Sequence, residues 1–244
     1  MAASDRGLPG GIAVSRLRVY DWPTDDGVAG GSPHLHTASA EGYVVVAGRG
    51  AVQTISAAGF AETPLEPGVI LWFTPGTVHR LINAGGLEIV TLMQNAGLPE
   101  SGDAVLTFPS DVLNDAAHYR SVATLPATAD PVALADAARA RRDLAIRGWA
   151  DLRAGLERDR EETLRELYAA AARLVGGRVD DWRILWSGGP LAQATETGEQ
   201  LDALQAADVG HLMNSAVHLA TAEPGPEKFG MCGRLTVWNL SGAQ

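Results

Sequence analysis

From residue 10 to about residue 108 the chain is a series of short apolar runs. GIAVSRLRVY, YVVVAG, AVQTIS, VILWFT, HRLIN and LEIVTLM are rich in Val, Ile and Thr. Those residue types suit a pleated, half-buried surface. Glycine or proline stands between most of the runs, at Gly48-Arg49-Gly50, Pro67-Gly68, Pro75-Gly76 and Gly85-Gly86. Several short strands with regular turn signals fit few architectures: an antiparallel barrel or a sandwich.

The texture changes after TFPSDVLNDAAHYR. The following segment is dense in Ala, Leu, Arg and Glu, all strong helix formers. Asp130 and Pro131 form an N-cap and first-turn pair. Leu152, Leu156, Leu164, Leu167, Ala171 and Leu174 recur at helical spacing, and Gly176-Gly177 is the expected stop. The leucine stripe is expected to pack as core against the barrel or a partner subunit. A second helix is expected from about Thr197 to Leu219, with Thr197 and Gln200 at capping-box spacing. His211 and His218 would lie near one face of it, as helix histidines without a third ligand. The terminal CGRLTVWNL reads as one more strand, able to return to the barrel's edge. The expected fold class is mainly β with a helical extension: a barrel over residues 10–110, then a mostly helical segment over 111–244 with a terminal strand.

Bulk properties narrow the function. The 244 residues suffice for one large domain, or one domain with a sizeable extension. A net charge of −10, with Lys228 the only lysine, argues against nucleic-acid binding. Cys232 is the single cysteine, so no intrachain disulfide can form. YVVVAG and VILWF are far too short to span a bilayer. MAASDRGLPGGIAV shows no apolar core behind a basic start, so no signal peptide is expected. A soluble cytoplasmic protein with neither nucleic-acid nor membrane partners is the expectation.

Chemistry concentrates in SPHLHTASAEGYVVVAGRG, residues 32–50. In a strand, side chains two apart share a face, so His34 and His36 point together. Thr37–Ala40 is small and polar and fits a bend. After it, Glu41, Tyr43 and Val45 share a face of a second strand. If the two strands curl around one interior, two imidazoles and a carboxylate converge as three ligands of a transition-metal site. A second stretch, EPGVILWFTPGTVHRLIN (residues 66–83), places His79 three residues after the turn glycine Gly76. Three of the six histidines thus fall within 46 residues, each in a strand-turn-strand context.

Together the two stretches resemble the paired signature motifs of the cupin superfamily. His34, His36, Glu41 and Gly48 match the first motif, with four residues before the glutamate. Gly68, Gly76, His79 and Asn83 match the second, and 19 residues separate Gly48 from Gly68. Thr74 stands at a family proline, with Pro75 following, and Val28 stands at a family glycine, beside Gly27. These departures touch turns rather than ligands. The resemblance covers residues 12–108. It implies a single jelly-roll β-barrel holding a divalent metal through His34, His36, Glu41 and His79. Fe(II) is the first expectation, with Mn, Ni, Zn and Cu also suited to such ligands.

Around these residues, Tyr43 is the candidate catalytic group; its hydroxyl would hydrogen-bond a substrate or complete the core. Of Trp72 and Phe73, one should line the cavity and the other pack outside as core. Gln94 is read as a strand-end polar residue, and Arg80 as an outward surface residue. The expected function is a metal-dependent, oxygenase-like enzyme (a dioxygenase, an oxidoreductase) acting on a small organic molecule. The alternatives are a non-redox isomerase, lyase or decarboxylase, and a non-catalytic small-molecule-binding cupin. A homodimer is expected, since a barrel of this kind exposes a sheet edge and an apolar face.

Overall fold

The computed structural model describes residues 8–238 and Leu240. Seven strands come first: β1 (Ala13–Val19), β2 (His34–His36), β3 (Glu41–Ser56), β4 (Gly59–Leu65), β5 (Ile70–Phe73), β6 (Val78–Met93) and β7 (Ala104–Leu106). Helices α1 (Ser110–Leu113), α2 (Ala116–Ala123), α3 (Pro131–Arg158), α4 (Arg160–Val175), α5 (Val179–Gly188), α6 (Pro190–Gln205) and α7 (Gly210–Met213) follow. Strands β8 (Lys228–Phe229) and β9 (Gly233–Val237) close the chain.

The spine is the antiparallel pair β3–β6. Each strand has 16 residues, paired from Glu41 with Met93 to Ile55 with Val78. A flat ribbon of that length would hold its two ends roughly 50 Å apart. This one is creased. The register shifts between Val45 and Ala47, between Ala47 and Arg49, and between Arg49 and Gly50. Gly48 and Gly86 adopt φ of 70° and 59°, in the left-handed region. A Cβ at Gly48 would collide with the Gly86 carbonyl, and one at Gly50 with the Ile82 carbonyl. The crease closes because side chains are missing there, and it places the halves of the ribbon in two facing layers.

Around the first half, β5 pairs with β3, while β1, β9 and β8 extend the sheet beyond β6. Around the second half, β4 pairs with β3, and β2 and then β7 extend from β6. The result is an antiparallel β-barrel with a helical extension. Leu17, Val19, Tyr43, Val45, Val52, Leu81 and Ile89 fill the interior.

The outer face of the second layer is apolar as well. Leu35, Ile55, Val78, Val105 and Leu106 lie against Trp149 and Leu152 of α3 and Leu164 and Leu167 of α4. Asp130 caps α3 through a bond accepted from Val132 N, with Pro131 in the first turn. Arg142 is buried and donates to the carbonyls of Trp22 and Pro23 at 2.7 and 2.9 Å, and Arg141 donates to that of Gly230 at 2.7 Å. These bonds tie α3 to loops from both ends of the chain. As expected, the terminal strand returns to the barrel, where β9 pairs with β1.

The structure corrects the helix readings. α4 does end at Val175 with Gly176 at its C-cap, but the chain stays helical in sense: Gly176–Arg178 forms a 3-10 turn that leads straight into α5. The second helix runs over Pro190–Gln205, not Thr197–Leu219. Gly188-Gly189-Pro190 is its start signal, with proline in the first turn. Thr197 lies mid-helix and bonds back to the Gln193 carbonyl at 3.0 Å instead of capping. Ala207 takes φ of 57°, which ends the helical path. His211 therefore sits on the short α7 and His218 lies beyond it, so they share no helix face. No described helix is long and apolar enough to cross a membrane.

Gly148 of α3 packs directly on the Thr107–Phe108 backbone, where a Cβ would meet the Thr107 carbonyl oxygen. Gly148→Ala is expected to lower stability by about 1–3 kcal/mol through overpacking. Chemical denaturation checks this, and an unchanged midpoint would show that α3 does not seat on the barrel there.

Candidate metal centre

Strand parity delivers the first two imidazoles. His34 and His36 point into the barrel, and Leu35 between them points outward into the helix-covered core. His34 lies directly opposite His79 at the start of β6. Glu41 opens β3, at the far end of the same ribbon, and the crease brings it back to His79. The Glu41 Oε2 to His79 Nε2 distance is 3.0 Å. His34 Nε2 lies 3.1 Å from His79 Nε2, and His36 Nε2 lies 3.3 Å from Glu41 Oε2. All four side chains are buried, and their ligand atoms lie within 4.8 Å of one another.

The spacing suits one ion. Two donors bound at about 2.0–2.1 Å and at right angles lie about 3 Å apart. Glu41 Oε2 faces the His36 and His79 imidazoles but makes no well-aligned hydrogen bond despite its burial. The His34 and His79 nitrogens that face each other could share at most one proton. Such a cluster is poorly satisfied by itself and well satisfied by a divalent cation.

The opposite edge of each imidazole faces an oxygen acceptor. Nδ1 of His34 donates to the Ser32 carbonyl at 3.0 Å, and Nδ1 of His79 to the Thr77 carbonyl at 3.1 Å. Nδ1 of His36 faces Asp103 Oδ2 at 3.3 Å. These partners favour the tautomer that leaves Nε2 with its lone pair toward the cluster. Cys232 Sγ lies 3.8 Å from His34 Nδ1, behind the ring and away from the ligand atoms.

Asp103 belongs to the candidate site, and sequence reasoning missed it. It is fully buried and accepts bonds from Thr37 N, Ala38 N and Ser39 N at 2.8, 2.7 and 3.0 Å, and from Thr37 Oγ1 at 2.6 Å. It therefore clips the bend between His36 and Glu41 while orienting His36. A lone aspartate 62 residues beyond Glu41 carries no local motif.

The charges follow from this packing. Burial drives the His34 pKa well below its usual value, helped by His79 and His36. For His36 burial acts downward too, but Asp103 and Glu41 outweigh it and hold the pKa up at about 9. Burial opposes the Glu41 charge, yet His79 and His36 keep its carboxyl well below the usual range. Asp103 is likewise held low, by His36 and Thr37 against burial.

Tyr43 points inward and is 1% exposed, with its ring centroid 5.4 Å from Phe73 and 6.4 Å from His79. Its hydroxyl has no hydrogen-bond partner. Burial, then the Glu41 charge, push its pKa well above the ordinary value, so it stays neutral. Phe73 lines the site, 4.2 Å from the His79 ring. Trp72 does face the other way, but it is 73% exposed rather than core. Gln94 is an exposed strand-end residue that accepts from Ala40 N at 3.2 Å. Arg80 is a correction: it points away from the interior but is 1% exposed, because residues 21–29 cross over it and Asp26 and Thr24 bind its guanidinium. His211 has no place in the cluster.

Residues 25–93 match the family described as the cupin domain, so this part of the barrel is a cupin domain. No curated protein matches the sequence. Among solved structures, Pac13, titled a unique nucleoside dehydratase, is 19% identical with a TM-score of 0.30, covering 38% of this chain and 66% of that one. A Streptomyces Pac13 variant with uridine is 20% identical with a TM-score of 0.27, covering 34% and 58%. A Thermotoga maritima protein titled a predicted oxalate decarboxylase is 20% identical with a TM-score of 0.26, covering 34% and 64%. The chain thus spans less than two thirds of the length of each.

Two outcomes check the site. His79→Ala is expected to purify with less than about a tenth of the parent's metal, and His211→Ala with all of it; equal metal in the two variants contradicts the ligand set. A ligand imidazole must be neutral, so below about pH 9 a metal ion has to expel the His36 proton. Affinity should rise with pH and level off near that value. Calorimetry at pH 7 in buffers of different ionisation enthalpy should detect a proton released by His36, and binding with no proton release would contradict the assignment.

Proposed function

We propose that the chain is a metal-dependent enzyme acting on a small organic molecule, with His34, His36, Glu41 and His79 as the ligands. The observation that carries this reading is the convergence of four buried ligand atoms within 4.8 Å of one another, with His34 and His79 anchored from behind by carbonyls and His36 facing Asp103. A divalent ion held there would supply Lewis acidity, and a redox-active one could also supply electrons.

The chain's own residues bind, orient and keep the site dry. Phe73 and the apolar interior exclude water beside His79. Asp103 fixes His36 and the 37–39 bend. Among the described residues, the fully buried carboxylates are Glu41 and Asp103, and Asp103 is committed to that bend. Tyr43 and Cys232 are both neutral, their pKa values raised first by burial. Among the described residues, the interior therefore offers no spare general base. That favours chemistry centred on the metal, and oxygenation by Fe(II) is the first form of the proposal.

One observation favours a second reading. The neutral Tyr43 hydroxyl beside Glu41 can give a hydrogen bond, or a proton, to a substrate oxygen. A non-redox lyase, isomerase or decarboxylase would use it so.

Oxygen uptake separates the two. Protein purified anaerobically with iron should consume oxygen in the presence of its substrate, screened from small organic acids, and should lose that uptake when zinc replaces iron. Turnover of a substrate at equal rates with zinc and without oxygen would replace the oxygenase reading by the second. Binding without turnover under either metal would leave a binding protein.

A further inference from the structure

The inner face of the first barrel layer is arranged in rows that run across the strands. Cross-strand partners share a face. The register puts Phe73, Glu41, Met93 and Ala13 in one row. The next row holds Leu71, Tyr43, Thr91 and Ser15. The row beyond it is apolar, with Val45, Ile89 and Leu17. Three hydroxyl residues thus stand side by side between the ligand row and an apolar wall.

Two of these hydroxyls lack partners. Tyr43 is 1% exposed and Thr91 is 5% exposed, yet neither Tyr43 OH nor Thr91 Oγ1 has a hydrogen-bond partner. A polar atom buried without a partner is costly, and an apolar pair would fill the same space without that cost. Their placement beside the ligand row calls for a bound group to satisfy them.

We propose that Tyr43 and Thr91 form a subsite for the far end of a hydroxy acid whose near end binds at the metal. This deepens the metal reading above and rests on it. The chemistry of the ligand follows from what lines the row. The buried arginines Arg80, Arg141 and Arg142 are all engaged by Asp26, Asp143 or backbone carbonyls. No cation stands in the hydroxyl row, so an anionic group belongs at the metal and the far end is neutral. Two hydroxyls that can each donate and accept suit a partner hydroxyl. The rows are one strand repeat apart, roughly 6–7 Å, which limits the ligand to three or four carbons.

Glycerate and lactate are matched probes: both carry a carboxylate and a 2-hydroxyl, and glycerate alone adds a 3-hydroxyl. Both enantiomers of each are titrated into the Mn(II)-loaded full-length protein by calorimetry, beside Tyr43→Phe, Thr91→Val and the double variant. Glycerate should bind about tenfold more tightly than lactate to the parent, one hydrogen bond's difference. The double variant should bring that ratio to about one, with lactate affinity and manganese content unchanged. The unliganded variants should melt no lower than the parent, because no existing bond is lost; a lower melting temperature would show a structural role and overturn the proposal. A manganese-loaded parent with no glycerate preference, or a preference kept by the double variant, would also overturn it while leaving the metal site intact. A parent that takes up no manganese would overturn the metal reading first.

Discussion

Glu41 and His79 begin the two strands of one long antiparallel ribbon, at opposite ends of it, and their side chains meet at 3.0 Å. Everything about the site depends on the crease that makes this possible. Gly48, Gly50 and Gly86 sit where backbone must touch backbone, and side chains would hold the layers apart. Once creased, the ribbon has an inside, which becomes the site, and an outside on its second half. That outside is apolar, and α3 and α4 cover it. Helical extension and candidate metal centre are therefore not independent additions to a barrel. One secures the layer from which His34, His36 and His79 project.

The electrostatics point the same way. A buried cluster of three imidazoles and a carboxylate is a poor substitute for an apolar core. His34 loses its tendency to protonate through burial first, while Glu41 stays ionised despite burial because the histidines face it. The cluster is prepared for a cation that the protein itself does not contribute. Asp103 supports the arrangement by holding both the His36 ring and the bend leading to Glu41, so that ligand spacing is set before any ion arrives.

Much of this was legible in the sequence. Period-two spacing put His34 and His36 on one face, and the turn signals around Gly48, Pro75 and Gly76 marked a barrel or a sandwich. The resemblance built on the same residues added His79, which the structure does bring beside His34, His36 and Glu41. What escaped was long-range or cumulative. Asp103 belongs to the site only because it lies beside β7, paired with β2. Thr91 stands beside Tyr43 because the register of β3 against β6 puts it there, and no local pattern encodes register across a creased ribbon. Arg80 has the outward parity expected of it, yet residues 21–29 bury it, which parity cannot foresee. The stop at Gly176 was legible, but its helical φ of −53° lets a further helix follow, and the second helix was misplaced because it starts at Pro190 and ends before Ala207, whose φ is 57°. Glycine permits a break without requiring one.

The central claim is that one metal ion sits between His34, His36, Glu41 and His79. Crystals of protein never exposed to chelators, measured on either side of the absorption edge of the co-purified metal, test it most directly. The account predicts one anomalous peak per chain, bonded to the Nε2 atoms of the three histidines and to Glu41 Oε2. A peak elsewhere, or an empty cluster in protein that carries metal in solution, would contradict it.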